Sequence, residues 1–287
     1  WTRQKKDITN EQYKEFYHHV ANVYDEPWLT LHNRAEGKIE YTNLMFIPSS
    51  KPYDLMNPDR KNRLQLYVKR VFITDDCDDL MPAYLRFVRG IVDSEDLPLN
   101  VSREMLQHNV VVKRIRSALI RRVFNELQKK AEKDPEEFSK FWENFGAVLK
   151  EGLYEDHENR EKILEIVRFN STASDKLISL AEYVERMKKG QTEIYYISGE
   201  GLDLVKASPQ LEGFKARGIE VLLMTDPVDE FWLPMVGQFD EKPFTSATSG
   251  SIDLSKIKTA KDKKENDDKN EAKKADDASV AKLILAL

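Results

Sequence analysis

The stretch DLPLNVSREMLQ, residues 96–107, sets a cation where a helix should begin. Pro-Leu-Asn-Val-Ser is a helix entry, with Asn100 or Ser102 as its N-cap. Arg103 follows directly, inside the turn where the helix dipole opposes positive charge by about 0.3–1 kcal/mol. An anion held at that helix entry would offset the loss, because free N–H groups and the guanidinium would converge on it. Gln107, four residues on, shares the helical face of Arg103 and would reach the same ligand or its attacking water. The plainer alternative is a surface arginine paired with Glu95, Asp96 or Glu104.

Other chemistry-bearing residues make weaker patterns. DDCDD, residues 75–79, has the acid density of a cation loop but neither the glycine nor the ligand spacing of an EF-hand. SGEGLDL, around Gly199 and Gly201, follows a strand and opens a helix as a phosphate loop would. It has no third glycine and no Lys-Ser/Thr pair, so a tight strand-to-helix turn explains it as well. His18 and His19 are adjacent on a helix and diverge by about 100°, so they cannot face one metal. The single cysteine, Cys77, excludes an intrachain disulfide and gives no zinc pattern, so no metal site is expected. In DPVDEFWLPM, residues 226–235, the apolar cluster either packs beneath a sheet or forms an exposed patch with an acidic edge suited to another polypeptide. No Ser-His-Asp order, zinc-protease pair or Walker loop is present.

The elements that would position these residues follow from pattern. Thr9 and Gln12 form a capping box, with Tyr13, Phe16, Tyr17 and Val20 on one face of the following helix, and Pro27 ends that region. Residues 39–48 and 64–73 read as strands, the second losing its alternation near Arg70, which suggests a bulge or a strand covered on both faces. Residues 81–93 carry a helical apolar stripe punctuated by Gly90. A basic helix follows, with Ile115, Leu119, Val123 and Leu127 as its buried row. Asp134-Pro135 opens another helix with Phe138, Trp142, Phe145 and Leu149 on its stripe. Further helical turns lead to Gly190 as a C-terminal stop. Residues 193–199 and 219–226 are strands around a helix from 202 to 217 closed by Gly218, a βαβ unit with a parallel pair.

The 287 residues allow one large or two modest domains. The fold class is α/β. It has two αβα-layered subdomains, a larger N-terminal one on a mixed sheet and a smaller C-terminal one on a parallel-type sheet, joined by helices. The expected boundaries are 1–132 for the large subdomain, 133–185 for the helical connector and 186–245 for the small subdomain. A charged flexible linker over 246–277 and a truncated helix over 278–287 complete the chain. Between 258 and 277, seven lysines face seven acids with no aromatic residue, too little apolar surface to offset ordering entropy. Val280, Leu283, Ile284 and Leu287 have amphipathic-helix spacing, and the chain reads as an internal segment of a longer protein. A net charge of -5 argues against nucleic acid, the apolar runs are too short to span a membrane, and one cysteine suits the reducing cytoplasm.

Several strings resemble one family: EQYKEFY, EGKIEYTNLMFIP, LYVKRVFITDD, YLRFVRGIVDSEDLPLNVSREMLQ, FWENFG, IYYISGE and IEVLLMTDPVDEF. Together they resemble the middle segment of the heat shock protein 90 chaperones, nearest the bacterial HtpG branch, over about residues 1–245. The resemblance implies an ATP-dependent homodimeric chaperone acting on client polypeptides. Its ATP and Mg²⁺ would be bound by a separate N-terminal domain, and its C-terminal domain would dimerise. It implies that Arg103 reaches the ATP γ-phosphate, with Gln107 in support and Asn100 shaping the loop. It also implies client contacts at Glu230, Phe231, Trp232 and Met235, and at Phe72 and Trp28. The segment alone is then expected to be monomeric and without ATPase activity. A nucleotide-independent polypeptide-binding module is the alternative, and a domain binding a phosphorylated metabolite at Gly199 and Gly201 a further one.

Overall fold

The computed structural model describes residues 1–57, 59, 61, 63–75, 77–100, 103–106, 109–250, 252, 254 and 257, with Arg103 described by its backbone alone. The chain divides into two compact units, Trp1–Val167 and Arg168–Leu287. The expected linker, 246–277, lies outside the described residues beyond 257, as does the helix at 278–287. Before that, Ala247 and Ile257 are buried in the core of the second unit with Ile252 and Leu254 packed against it, because these apolar residues find a partner there.

The first unit opens with α1 (Asn10–Ala21), whose capping box between Thr9 and Gln12 is formed on both sides. Five strands follow: β1 (Pro27–Ala35), β2 (Tyr41–Pro48), β3 (Arg63–Val68), β4 (Val71–Thr74) and β5 (Arg89–Ser94). They make a mixed sheet in the order β1-β2-β5-β3-β4, in which only β3 and β5 run parallel. Tyr13, Phe16 and Tyr17 of α1 pack on Leu44 and Phe46. Met45 and Ile47 point to the opposite face and are also buried. Both faces of β2 are therefore covered.

Two expectations fail here. The stripe at 81–93 is not a helix: Ala83–Leu85 makes one 3-10 turn and 89–94 is the central strand β5, buried along its whole length. A short run that is apolar all round carries no period to separate helix from strand. Strand 64–73 is instead a hairpin, β3 to β4, turned by Lys69 (φ 49) and Arg70 (φ 67). The lost alternation near Arg70 is this turn. Strand β1, in the stretch after Pro27, was not anticipated.

Four-residue α2 (Arg103–Leu106) precedes α3 (Val110–Lys133), α4 (Pro135–Lys150), α5 (Gly152–Glu155) and α6 (Arg160–Ile166). Ile115, Leu119, Val123 and Leu127 form the buried row of α3, and Asp134 caps α4 with Pro135 in its first turn, both as expected. Phe141 and Phe145 of α4 pack on Phe87 just before β5, so helices cover the sheet.

The second unit contains β6 (Asn170–Ser171), α7 (Leu180–Glu185), β7 (Ile194–Ser198), α8 (Leu202–Lys206), α9 (Glu212–Arg217), β8 (Leu222–Met224), α10 (Asp229–Val236), β9 (Gln238–Phe239) and β10 (Lys242–Ser246). The sheet order is β6-β8-β7-β10-β9, with a parallel centre of β8, β7 and β10 and antiparallel edges. The βαβ unit is present, but its helix is broken: Ser208 is extended (ψ 128) before Pro209, which bars the α region to its predecessor. Gly218 (φ 64) closes α9 as expected. Gly190 lies beyond the end of α7 and caps no helix directly. Among the described residues no helix is long and apolar enough to cross a membrane.

Candidate functional site

Central strand β5 feeds the loop that carries Arg103. Ser94, the last residue of β5, accepts hydrogen bonds at Oγ from the N–H groups of Asp96 and Leu97, both at 3.3 Å. The Asp96 carboxylate accepts the Glu40 N–H at 2.6 Å, and the Glu95 N–H donates to the Glu40 carbonyl at 3.0 Å. Leu97 is buried, whereas Leu99 and Asn100 are exposed. At the far end Leu106 is buried, and Asn109 caps α3 by accepting from the N–H groups of Val111 (2.8 Å) and Val112 (3.3 Å).

The loop is thus an arch pinned at both feet, and its described residues 98–100, 104 and 105 are exposed. Helix α2 begins at Arg103, as the entry motif suggests. The side chain of Arg103, and Ser102 and Gln107 entirely, lie outside the described residues. The arch sits at the carboxyl end of the parallel β3–β5 pair, the edge where open α/β sheets bind ligands.

In the second unit, α10 separates neighbouring aromatics. Trp232 is fully buried, with Nε1 donating to Asp229 Oδ1 at 2.8 Å and its ring edge-on to Phe244 at 5.5 Å. Trp232 therefore packs within the unit and presents nothing outward. Phe231 and Met235 are 65% and 59% exposed, four residues apart and so on one helical face, beside exposed Glu230.

The two remaining apolar candidates also differ. Phe72 is half exposed on edge strand β4, edge-on to Tyr67 at 5.5 Å. Trp28 is stacked on Phe141 at 4.8 Å beneath Lys130, and its Nε1 is buried without a hydrogen-bond partner among the described residues. Trp28 is chiefly a packing residue.

Residue types alone did not mark a polar cleft of about 980 Å³ in the first unit. Lys113, Arg116, Arg121 and Lys162 line it together with Tyr84 and Asp156. Tyr84 donates to Asp156 Oδ2 at 2.6 Å; burial and that bond raise the phenol pKa. Burial works against ionising Asp156, but hydrogen bonds from Tyr84 and Asn159 hold its pKa below the usual range. Among the described residues no nucleophile–base hydrogen bond lines this mixed-charge cleft; the Ser117 hydroxyl donates to the Lys113 carbonyl instead. Among the described residues no group of three acids, histidines or cysteines could hold a metal; Asp76 of the acidic turn at 75–79 lies outside them. Burial pushes the Cys77 thiol up to about 11, so it is unreactive near neutrality. Gly201 (φ 81) and Gly199, whose N–H donates to the Met224 carbonyl at 3.2 Å, form a tight strand-to-helix turn.

Comparison with known proteins bears on the two-sheet fold. The family described as Hsp90 protein matches residues 1–284. The chain belongs to the Hsp90 family. It is 59% identical to the chaperone protein HtpG of Paramagnetospirillum magneticum over 283 residues, covering 99% of this chain and 44% of that protein. It is 53% identical to HtpG of Rickettsia rickettsii over 277 residues, covering 96% of this chain and 44% of that one. The chain thus spans a little under half the length of these Hsp90 relatives. The solved middle domain of a Plasmodium falciparum heat shock protein matches with a TM-score of 0.75 at 34% identity, covering 87% of this chain and 99% of that one. The two mixed sheets with their helices are an Hsp90 middle-domain fold.

Proposed function

We infer that this chain is the middle segment of an ATP-driven chaperone and that its arch carries Arg103 to the γ-phosphate of ATP. The nucleotide and its Mg²⁺ sit in a separate N-terminal domain of the intact homodimer. The observation that carries the reading is the arch itself, a loop fixed at Ser94 and Asn109, with Asn100 and Glu104 exposed on either side of the stretch where α2 begins at Arg103. A loop fixed on both sides of an arginine suits delivery of a cation to charge that develops elsewhere. Gln107 would steady the same phosphate or its attacking water, and Asn100 would shape the crown. In the intact protein, Arg103→Ala is expected to lower ATP turnover at least about tenfold while nucleotide affinity stays within about twofold. Wild-type turnover in that variant would remove the assignment.

A second role is favoured by α10. Phe231 and Met235, exposed on one face beside Glu230, suit capture of apolar segments of client polypeptides. Phe72 extends the same chemistry to the first unit. Combined Phe231→Ser and Met235→Ser changes are expected to weaken suppression of client aggregation without lowering turnover. Unchanged suppression would limit this surface to solvent contact.

A further inference from the structure

The β3–β4 turn has a conformation that its residues disfavour. A two-residue loop with both φ values positive is the turn that Asn-Gly fills best, and here it holds Lys69 and Arg70. Neither side chain has a hydrogen-bond or ion-pair partner among the described residues, and both are exposed. The other such turn, Asp240–Glu241, differs on both counts: Asp tolerates the left-handed region, and Lys242 Nζ neutralises its carboxylate at 2.6 Å.

What holds the turn is its backbone. The Lys69 N–H donates to the Ser94 carbonyl at 3.0 Å, and the Arg70 N–H donates to Asp93 Oδ1 at 3.1 Å. Asp93 is buried, and its other oxygen accepts Trp1 Nε1 at 2.7 Å, so it anchors the turn without neutralising either side chain. Asp93 and Ser94 are the last two residues of β5, and Ser94 also caps the start of the arch. A strained cationic turn is therefore wired to the foot of the arch that carries Arg103.

We propose that Lys69 and Arg70 form a docking point for an acidic polypeptide surface outside this chain, one that fixes the arch when the segment meets its ATP-binding partner domain. Two unpaired cations side by side call for clustered carboxylates. The relatives have more than half their length outside the matched region, which leaves room for such a surface in the same protein. The consequence for turnover rests on the Arg103 reading. The contact itself does not.

The test uses the full-length protein with Lys69→Asn and Arg70→Gly together, which removes both charges while supplying the residues this turn prefers. The thermal midpoint is expected to hold or rise, so misfolding cannot imitate the effect. ATP turnover is expected to fall several-fold, up to about tenfold, at low ionic strength, and the difference should shrink as salt screens the wild-type contact. Zero-length carbodiimide cross-linking of the wild type, mapped by mass spectrometry, is expected to join Lys69 to a carboxylate outside residues 1–287. Turnover within about twofold of wild type at low salt, or Lys69 cross-links confined to this chain, would overturn the proposal. Wild-type turnover in Arg103→Ala with the Lys69 cross-link intact would remove the γ-phosphate role alone. Lost turnover in Arg103→Ala, with no Lys69 cross-link outside this chain in the wild type, would remove the docking point alone.

Discussion

Gly90 lies where β5 passes closest to β2, and Gly90→Ala should be among the most damaging single-methyl changes in the first unit. A Cβ there would stand 2.2 Å from the Leu44 carbonyl oxygen, 2.8 Å from Met45 Cα and 3.1 Å from the Leu44 carbonyl carbon. All three are backbone atoms of a strand paired on both sides, by β1 and by β5, so none can swing away. Relief requires β2 and β5 to part by about 1 Å around the Met45–Gly90 pair, weakening about two ladder hydrogen bonds at roughly 1 kcal/mol each. The φ of +134° adds about 1–2 kcal/mol for a residue with a side chain. Reduced freedom of the unfolded chain returns about 0.4–1 kcal/mol. The net cost is about 3 kcal/mol, or roughly 6–12 °C in melting temperature for a unit of this size. Gly37 supplies the control: its φ is +151°, but nothing lies within 4 Å of an added Cβ. Gly37→Ala therefore meets the backbone preference without the collision. Thermal unfolding followed by circular dichroism separates the two. If Gly90→Ala melts within about 2 °C of Gly37→Ala, the close approach of β2 and β5 is not what demands glycine at this position.

Two further outcomes follow from buried ionisable groups. Arg86 is buried and held by Glu151 through a two-pronged pair at 2.7 and 2.9 Å, with further bonds to the Leu55 and Ala83 carbonyls. Glu151→Ala strands that guanidinium and should cost about 3 kcal/mol in urea unfolding, whereas a surface pair would cost under about 1. His32 is buried between Tyr13 and the Trp1 carbonyl, and burial lowers its pKa below the ordinary value of about 6.5. The unfolded chain then binds the proton more readily, so the stability from neutral His32 is present above about pH 6.5 and lost as pH falls below it. His32→Asn should flatten the acid side of the urea-midpoint profile; an unchanged slope would show that other groups set it.

Much of the scaffold could be read from local chemistry. The Thr9–Gln12 box, the Asp134-Pro135 entry and the buried row of α3 depend on neighbours within one or two turns, and each formed as spaced. What failed depends on distant partners. Residues 81–93 are apolar on every side because β5 lies mid-sheet between layers, and the need for glycine at 90 comes from a strand over forty residues earlier. At the site, the helix entry at Arg103 was legible because Pro, Asn and Ser precede it. The feet of the arch were not, because Ser94 and Asp96 act through Glu40 and their own loop. Phe231 and Trp232 are adjacent and similar in type, so composition alone cannot say which turns inward. The carboxylate three residues before Trp232 was the available signal, since a buried indole N–H needs an acceptor.

Helix α3 runs for 24 residues, about 36 Å, from the Asn109 cap beside the arch to the Asp134 corner where α4 begins. Its buried row runs along most of its length, which makes it a rod rather than a spring. A tilt of about 5° at the arch end would sweep the Lys133 end through about 3 Å, more than packed side chains absorb by changing rotamer. The loop that carries Arg103 is thus fitted with a lever arm. A sub-ångström correction at the arch can stay local, but a larger one must be felt at the α3–α4 corner as a displacement of whole helices.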